Sequence, residues 1–167
     1  LVLGCGGSAR AVVAGLDELG CARIQIAGRR QAVLDELLAA CAGWAPQLEP
    51  LLWSDASALD EALAGCDVVV NTTPVGMASP SNPAAAEASP LSPAQLDRLR
   101  PESWVYDIIY TPRPTRLLQH AAERGCHTLD GLEMLVQQGA AALRLWAGDA
   151  NVPVDAMRTA ALAHLGA

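Results

Sequence analysis

The chain contains no lysine: all 11 of its basic residues are arginine. Chemistry that depends on an amine with an adjustable pKa is therefore excluded from these residues, because a guanidinium stays protonated. Long apolar runs are also missing, and the chain opens on a glycine-rich turn instead of a charged leader with a cleavage site. The expected setting is the cytoplasm, with no membrane partner. Positive charge is scarce, the formal net charge being -7. That balance opposes a general nucleic-acid surface, which needs a positive field, so any anion must be met locally. The five cysteines, Cys5, Cys21, Cys41, Cys66 and Cys126, are odd in number and scattered. None forms a Cys-x-x-Cys pair or lies near a histidine at ligand spacing, so they read as reduced, small apolar residues and no metal is expected.

What is present is a composition of 51% hydrophobic and 17% charged residues, which suits a packed globule. A length of 167 residues fits a single domain over 1–167. Short β-rich runs alternate with Ala/Leu-rich stretches of helical period, the pattern of a parallel sheet covered by helices on both faces. Strands are expected at 1–3, 23–27, 49–53, 67–71, 104–108 and 127–129. Helices are expected at 9–19, 31–42, 57–64, 94–99, 115–124 and 132–146, and a last one from Pro153 to Leu165. The Pro-, Ser- and Ala-rich segment 78–93 lacks apolar periodicity and reads as a surface loop. The fold class is α/β, a Rossmann-like doubly wound sheet with a C-terminal helical segment. Only three residues precede the first glycine, so the chain is expected to be a piece of a longer protein.

Gly4-Cys5-Gly6-Gly7-Ser8-Ala9 follows a strand and opens a helix, the context in which a G-x-G-x-x-G/A pattern signals a dinucleotide. Its glycines permit a tight turn and let the backbone approach a pyrophosphate at the positive end of the helix. The alternative for such a pattern is a turn and nothing more. NAD sites usually carry Asp or Glu at the end of the second strand, to accept from the ribose 2′-OH. Here that strand ends Ile26-Ala27-Gly28-Arg29-Arg30, and a guanidinium fork suits a 2′-phosphate better than a hydroxyl. NADP is therefore the expected cofactor. Two more segments leave the carboxyl ends of strands, Asn71-Thr72-Thr73-Pro74-Val75-Gly76-Met77 and Tyr106-Asp107-Ile108-Ile109-Tyr110-Thr111-Pro112, and a third, from Asp130 to Gln138, opens the long helix. Together they place a ligand site on one rim.

These five motifs, in this order across essentially the whole chain, resemble the shikimate dehydrogenase family. The resemblance implies an NADP-dependent oxidoreductase of aromatic amino-acid biosynthesis, moving hydride reversibly between NADPH and 3-dehydroshikimate to give shikimate. It further implies that Gly4, Cys5, Gly6, Gly7 and Ser8 bind the pyrophosphate, and Gly28, Arg29 and Arg30 the 2′-phosphate. Thr72 and Thr73 would lie along the cofactor, Ile108 and Gly131 against the nicotinamide, and Tyr110 and Gln138 at the substrate. The family often has Asn-Arg-Thr after its second strand, with another Arg a few residues on. Gly28, Arg30 and Val33 depart from that pattern, so the clamp is expected to be built differently. The family's proton-transfer pair, a Lys with an Asp, belongs to an N-terminal substrate domain that would be this chain's natural packing partner. With no lysine here, no catalytic residue is assigned, and the 167 residues alone are expected to be inactive.

Other residues are assigned structural roles. Asp107 and Asp130 are expected to hold backbone N–H groups in their turns. His120, His127 and His164 are far apart and read as surface or helix-flank residues, and Ser8 has no histidine near it in sequence. Trp44, Trp53, Trp104 and Trp146 are expected in core or interdomain packing. Apolar surface near Trp146 and along 154–165 would be left exposed and favour association, a homodimer included. Two rival readings remain: an NAD-using quinate/shikimate dehydrogenase, which should carry an acid where Arg29 and Arg30 stand, and a non-catalytic nucleotide- or metabolite-binding regulatory module.

Overall fold

The computed structural model describes residues 1–148 and 151–165. Six strands, β1 (Val2–Leu3), β2 (Ile24–Gly28), β3 (Leu48–Leu52), β4 (Val68–Asn71), β5 (Trp104–Asp107) and β6 (His127–Leu129), form one sheet in the order β3-β2-β1-β4-β5-β6. Every pairing is parallel. That is the doubly wound order, and it places the topological switch point between β1 and β4. The helices are α1 (Gly7–Glu18), α2 (Gln31–Cys41), α3 (Ala56–Gly65), α4 (Pro93–Leu96), α5 (Arg116–Glu123), α6 (Leu132–Ala147) and α7 (Val154–Leu165). None is long and apolar enough to cross a membrane among the described residues.

Alternation along the strands builds a core on each face of the sheet. Val2, Ile24 and Ile26 turn toward Val13 of α1 and Leu34 and Leu37 of α2. Leu3, Ala27, Val69 and Val105 turn the other way, onto Leu59 and Leu63 of α3, Leu96 of α4 and Leu117 of α5. Burial on both sides is why the central strands are nearly continuous in apolar residues. The aromatic residues lie elsewhere. Trp53 packs against the core margin, whereas Trp104 is 50% exposed and stacks on His127, and Trp146 is 82% exposed. Core packing is thus left to Leu, Val, Ile, Ala and the buried Cys41 and Cys126, and of these three tryptophans only Trp53 touches a core.

The segment between β4 and β5 differs from expectation in two places. The stretch taken as pure loop holds a 3₁₀ turn at Pro83–Glu87, started by a proline whose missing N–H costs nothing at a helix N-terminus. The helix expected at 94–99 begins one residue earlier and is shorter, with a capping box formed between Ser92 and Gln95.

Helix α7 has no buried residue and rests on α6. Gly139 permits the approach, since a Cβ there would lie 3.3 Å from Met157 Cε. The Arg158 guanidinium donates to both carboxylate oxygens of Glu133, each at 2.8 Å, and also to Asp155. Hydrogen bonds from Arg158 and Gln137 hold the Glu133 carboxyl down at about 2, against its usual 4.5. A depressed carboxylate contributes its attraction above the ordinary pKa and loses it as pH falls through the folded value. Hydrogen exchange of the α7 amides is therefore expected to accelerate, relative to α5, as pH drops from about 4.5 toward about 2. In Glu133→Gln the exchange should already be fast at neutral pH and lack that pH step.

Candidate nucleotide site at the carboxyl edge of the sheet

The glycine loop leaves β1 at Gly4, whose φ of +102° is left-handed. A Cβ on Gly4 would meet Thr72 Oγ1 at 2.8 Å and Thr73 Cγ2 at 3.0 Å, so the turn after β4 packs directly beneath the loop. Thr72 donates its hydroxyl to the Leu3 carbonyl at 2.7 Å. Thr73 donates to Asn71 Oδ1 at 2.8 Å and accepts from the Val75 N–H. The Thr72 hydroxyl thus braces the entry to the loop, and the Thr73 hydroxyl fixes its own turn. Gly6 and Gly7 face open space, with nothing within 4 Å of an added Cβ. Gly6, Gly7 and Ser8 are exposed, and Cys5 is half-buried.

Helix N-termini set this corner apart. Side-chain oxygens of Asp55, Ser92 and Thr115 cap α3, α4 and α5. By contrast, α1 and α2 have neither a side-chain cap nor an acidic residue in the first turn. Their leading N–H groups and positive dipole ends are open to an anion. The two helices start side by side. Gly4 donates its N–H to the Ala27 carbonyl at 2.8 Å, and the sulfur of Cys5 fills the space beside Gly28. A Cβ on buried Gly28 would strike Cys5 Sγ at 2.9 Å and Leu34 Cδ2 at 2.8 Å, which explains glycine at the strand's end. Arg29 and Arg30 follow immediately, exposed and outside every ion pair among the described residues.

The other side of the crevice is built on a buried polar network. Asn71 and Asp107, the last residues of β4 and β5, are fully buried neighbours across the sheet. Asp107 Oδ1 accepts from Asn71 Nδ2 at 3.0 Å and from the Ile109 N–H at 3.1 Å. Its Oδ2 accepts from Thr115 Oγ1 at 2.7 Å, and Thr115 in turn caps α5. Burial pushes the Asp107 carboxyl above its ordinary value, against the pull of these three donors. One side chain therefore ties together two site turns and the start of α5. Asp107→Ala would strand three donors and is expected to cost about 3 kcal/mol in urea unfolding. Asp107→Asn keeps an acceptor for Ile109 and a partner for Thr115, and should cost about 1 kcal/mol or less. The raised carboxyl contributes most below the unfolded pKa and loses stability as pH rises through the folded one; the Asn variant should lack that slope.

Asp130 closes the rim. Its Oδ1 accepts from the Leu132 N–H, and its Oδ2 pairs with Arg113 Nε at 2.6 Å in a largely buried contact. Both aspartates thus hold backbone N–H groups, as expected from their turns. Gly131 lies under the Ile108 carbonyl, and its N–H donates to the Ile109 carbonyl at 3.0 Å. Tyr110 is exposed three residues beyond the end of β5. Gln138 is exposed on α6 and donates to the Leu135 carbonyl at 3.3 Å, leaving its side-chain oxygen for another partner.

Thus the predicted residues of the glycine loop, the end of β2 and the turn after β4 come together at one corner, and Ile108 and Gly131 meet at the next. The network through Asn71, Asp107 and Thr115 and the Arg113–Asp130 pair were not expected. Their one sequence signal is a polar residue closing each of two adjacent apolar strands. No group of three or more His, Cys, Asp or Glu suited to a metal occurs among the described residues. A cavity of about 450 Å³ around Leu1, Ile24 and Val68 lies at the opposite, amino edge of the sheet, away from these turns.

Comparison with known proteins agrees with this geometry. Residues 131–162 match the shikimate 5'-dehydrogenase C-terminal domain. A curated relative, shikimate dehydrogenase (NADP(+)) of Synechocystis, is 47% identical over 99% of this chain and 54% of its own length. The crystal structure of shikimate 5-dehydrogenase from Listeria monocytogenes, in complex with shikimate and NAD, superimposes with a TM-score of 0.80 at 31% identity, over 95% of this chain and 53% of that one. Quinate dehydrogenase from Corynebacterium glutamicum, in complex with NAD, follows at 0.76 and 30%, over 97% and 54%. The chain spans about half the length of the curated relatives it matches, and over that half it is similar to shikimate dehydrogenases.

Proposed function

We propose that this chain is the cofactor-binding half of an NADP-dependent shikimate dehydrogenase, whose whole protein interconverts 3-dehydroshikimate and shikimate. The observation that carries the choice of NADP is the pair of unpaired guanidiniums, Arg29 and Arg30, directly after β2, with no carboxylate at that strand end. The relative's name agrees. The open N-terminus of α1 and the bare faces of Gly6 and Gly7 suit a pyrophosphate.

When bound, the dinucleotide supplies or accepts the hydride. The chain's own residues hold and orient it. Gly4 to Ser8 present backbone N–H groups, Arg29 and Arg30 meet the 2′-phosphate, and Ile108 and Gly131 form the floor at the nicotinamide end. Tyr110 and the free amide oxygen of Gln138 face the substrate, where an amide suits hydroxyl and carboxylate groups alike. Proton transfer falls to residues outside these 167, because the sequence holds no lysine and both buried-rim aspartates are engaged in structural bonds.

Calorimetry is expected to register 1:1 binding of NADPH by these 167 residues, tighter than NADH by about tenfold or more. Shikimate oxidation with NADP should be negligible. An absence of nucleotide binding, a preference for NADH, or steady turnover by these residues alone would each defeat the reading. A preference for NADH would favour the quinate/shikimate alternative, since two crystallised relatives are NAD complexes.

A further inference from the structure

Of the 11 arginines, seven are engaged in ion pairs: Arg23, Arg98, Arg100, Arg113, Arg116, Arg124 and Arg158. Arg10, Arg29, Arg30 and Arg144 pair with no carboxylate among the described residues. Three of those four lie at the starts of α1 and α2. Arg29 and Arg30 follow β2, and Arg10 stands exposed in the first turn of α1, the helix whose leading loop is bonded to β2 through Gly4 and packed on it through Cys5. In a chain of net charge -7, a corner with three cations and no acid in either adjoining first turn is out of keeping with the rest of the surface. Left empty, such a corner carries like-charge repulsion, and a multivalent anion relieves it.

We propose that Arg10 is the third guanidinium of the 2′-phosphate site, so that the clamp on the adenosine end is built from α1 as well as from β2. This rests on the NADP reading above. The first turn of α2 supplies no cation of its own: Gln31 is tied to Asp35 at 2.8 Å, and Ala32, Val33 and Leu34 are apolar. The pyrophosphate, in contrast, already has the backbone N–H groups of the glycine loop. The 2′-phosphate offers three acceptor oxygens to Arg29 and Arg30, and Arg10, at the start of the neighbouring helix, is the next basic side chain in the chain's fold around that site. Its exposure and lack of internal partners mean that its removal leaves the fold intact.

The test is a calorimetric titration of the protein and of Arg10→Ala with NADPH, NADH and adenosine 2′,5′-bisphosphate. Arg144→Ala, at an exposed arginine in the last turn of α6 with no carboxylate partner among the described residues, controls for the change in net charge. Arg10→Ala is expected to weaken NADPH and the bisphosphate by about tenfold while NADH stays within about twofold, and Arg144→Ala to leave all three unchanged. Equal losses for NADPH and NADH would move Arg10 to the pyrophosphate and overturn the assignment. So would an Arg10→Ala protein indistinguishable from the parent. If the parent protein binds no nucleotide at all, the proposed function fails, and the Arg10 assignment falls with it.

Discussion

Replacing Gly131 with alanine is expected to destabilise the domain by about 3 kcal/mol, as large an effect as any single methyl group should have in this chain. The cause is space and not backbone conformation, since φ at Gly131 is an ordinary -78°. An added Cβ would fall on the carbonyl group of Ile108 and within 3.0 Å of the carbonyl carbon of Ile109. Neither obstacle is a flexible side-chain end; both belong to the backbone turn leaving β5. Relief requires the start of α6 to withdraw from that turn, which breaks the Gly131–Ile109 hydrogen bond and pulls on the Arg113–Asp130 pair. A matched control lies in α1, where Gly15 is exposed with nothing within 4 Å of an added Cβ. Gly15→Ala should stabilise by roughly 0.5–1 kcal/mol, because alanine is the better helix former. Urea unfolding of both variants measures the contrast. A Gly131→Ala protein as stable as the parent would mean that the close approach of α6 to the β5 turn is dispensable. On the proposed function the same variant also loses nicotinamide-end affinity, since the withdrawn turn is the floor of that pocket.

The contrast between these two glycines indicates what a sequence reveals. Gly4, Gly6 and Gly7 could be read in advance as a tight turn because they stand between a strand and a helix. Gly131 was placed at the nicotinamide only through resemblance, and its steric reason is invisible in one dimension, since the atoms it avoids belong to Ile108 and Ile109. The six strands were legible because a sheet covered on both faces writes itself as short apolar runs, and β6 fell at 127–129 as expected. Helix α1 began two residues earlier than expected because Gly7 and Ser8, poor markers of a helix by propensity, are held helical by the tight turn before them. Polar contacts were the least legible. Asn71, Asp107 and Thr115 are 36 and 8 residues apart, and nothing local to any of them announces a shared carboxylate. Trp104 shows a related limit. Its size suits a core, yet it opens β5 at a position whose neighbour in the sheet is the exposed edge residue His127, and there it finds a stacking partner in place of a cavity.

The arginines at the end of β2 should govern cofactor choice, and the double variant Arg29→Ala/Arg30→Ala is expected to lose about 100-fold in NADPH affinity while NADH affinity changes by about threefold or less. Two charge-assisted hydrogen-bonding groups, each contributing about 1.5 kcal/mol in a half-open site, give a loss of that size. Both side chains are exposed and form no ion pair among the described residues, so the fold should tolerate the change with its unfolding midpoint unaltered. Salt gives an independent check. The attraction is between exposed charges, so NADPH affinity of the parent should fall more steeply with ionic strength than NADH affinity, and the double variant should bring the two slopes together. Placing an acid at the same point extends the logic. Arg29→Asp offers an acceptor to a ribose 2′-OH and repels a 2′-phosphate, so it should turn the preference toward NADH. The buried glycine beside it sets the limit on such redesign. Gly28 cannot be enlarged without displacing Cys5 or Leu34, so a carboxylate placed there would push the glycine loop itself out of position and weaken both nucleotides together. A double variant that still prefers NADPH by the parent's margin would leave the 2′-phosphate to other residues and remove the physical basis for reading this corner as an NADP site.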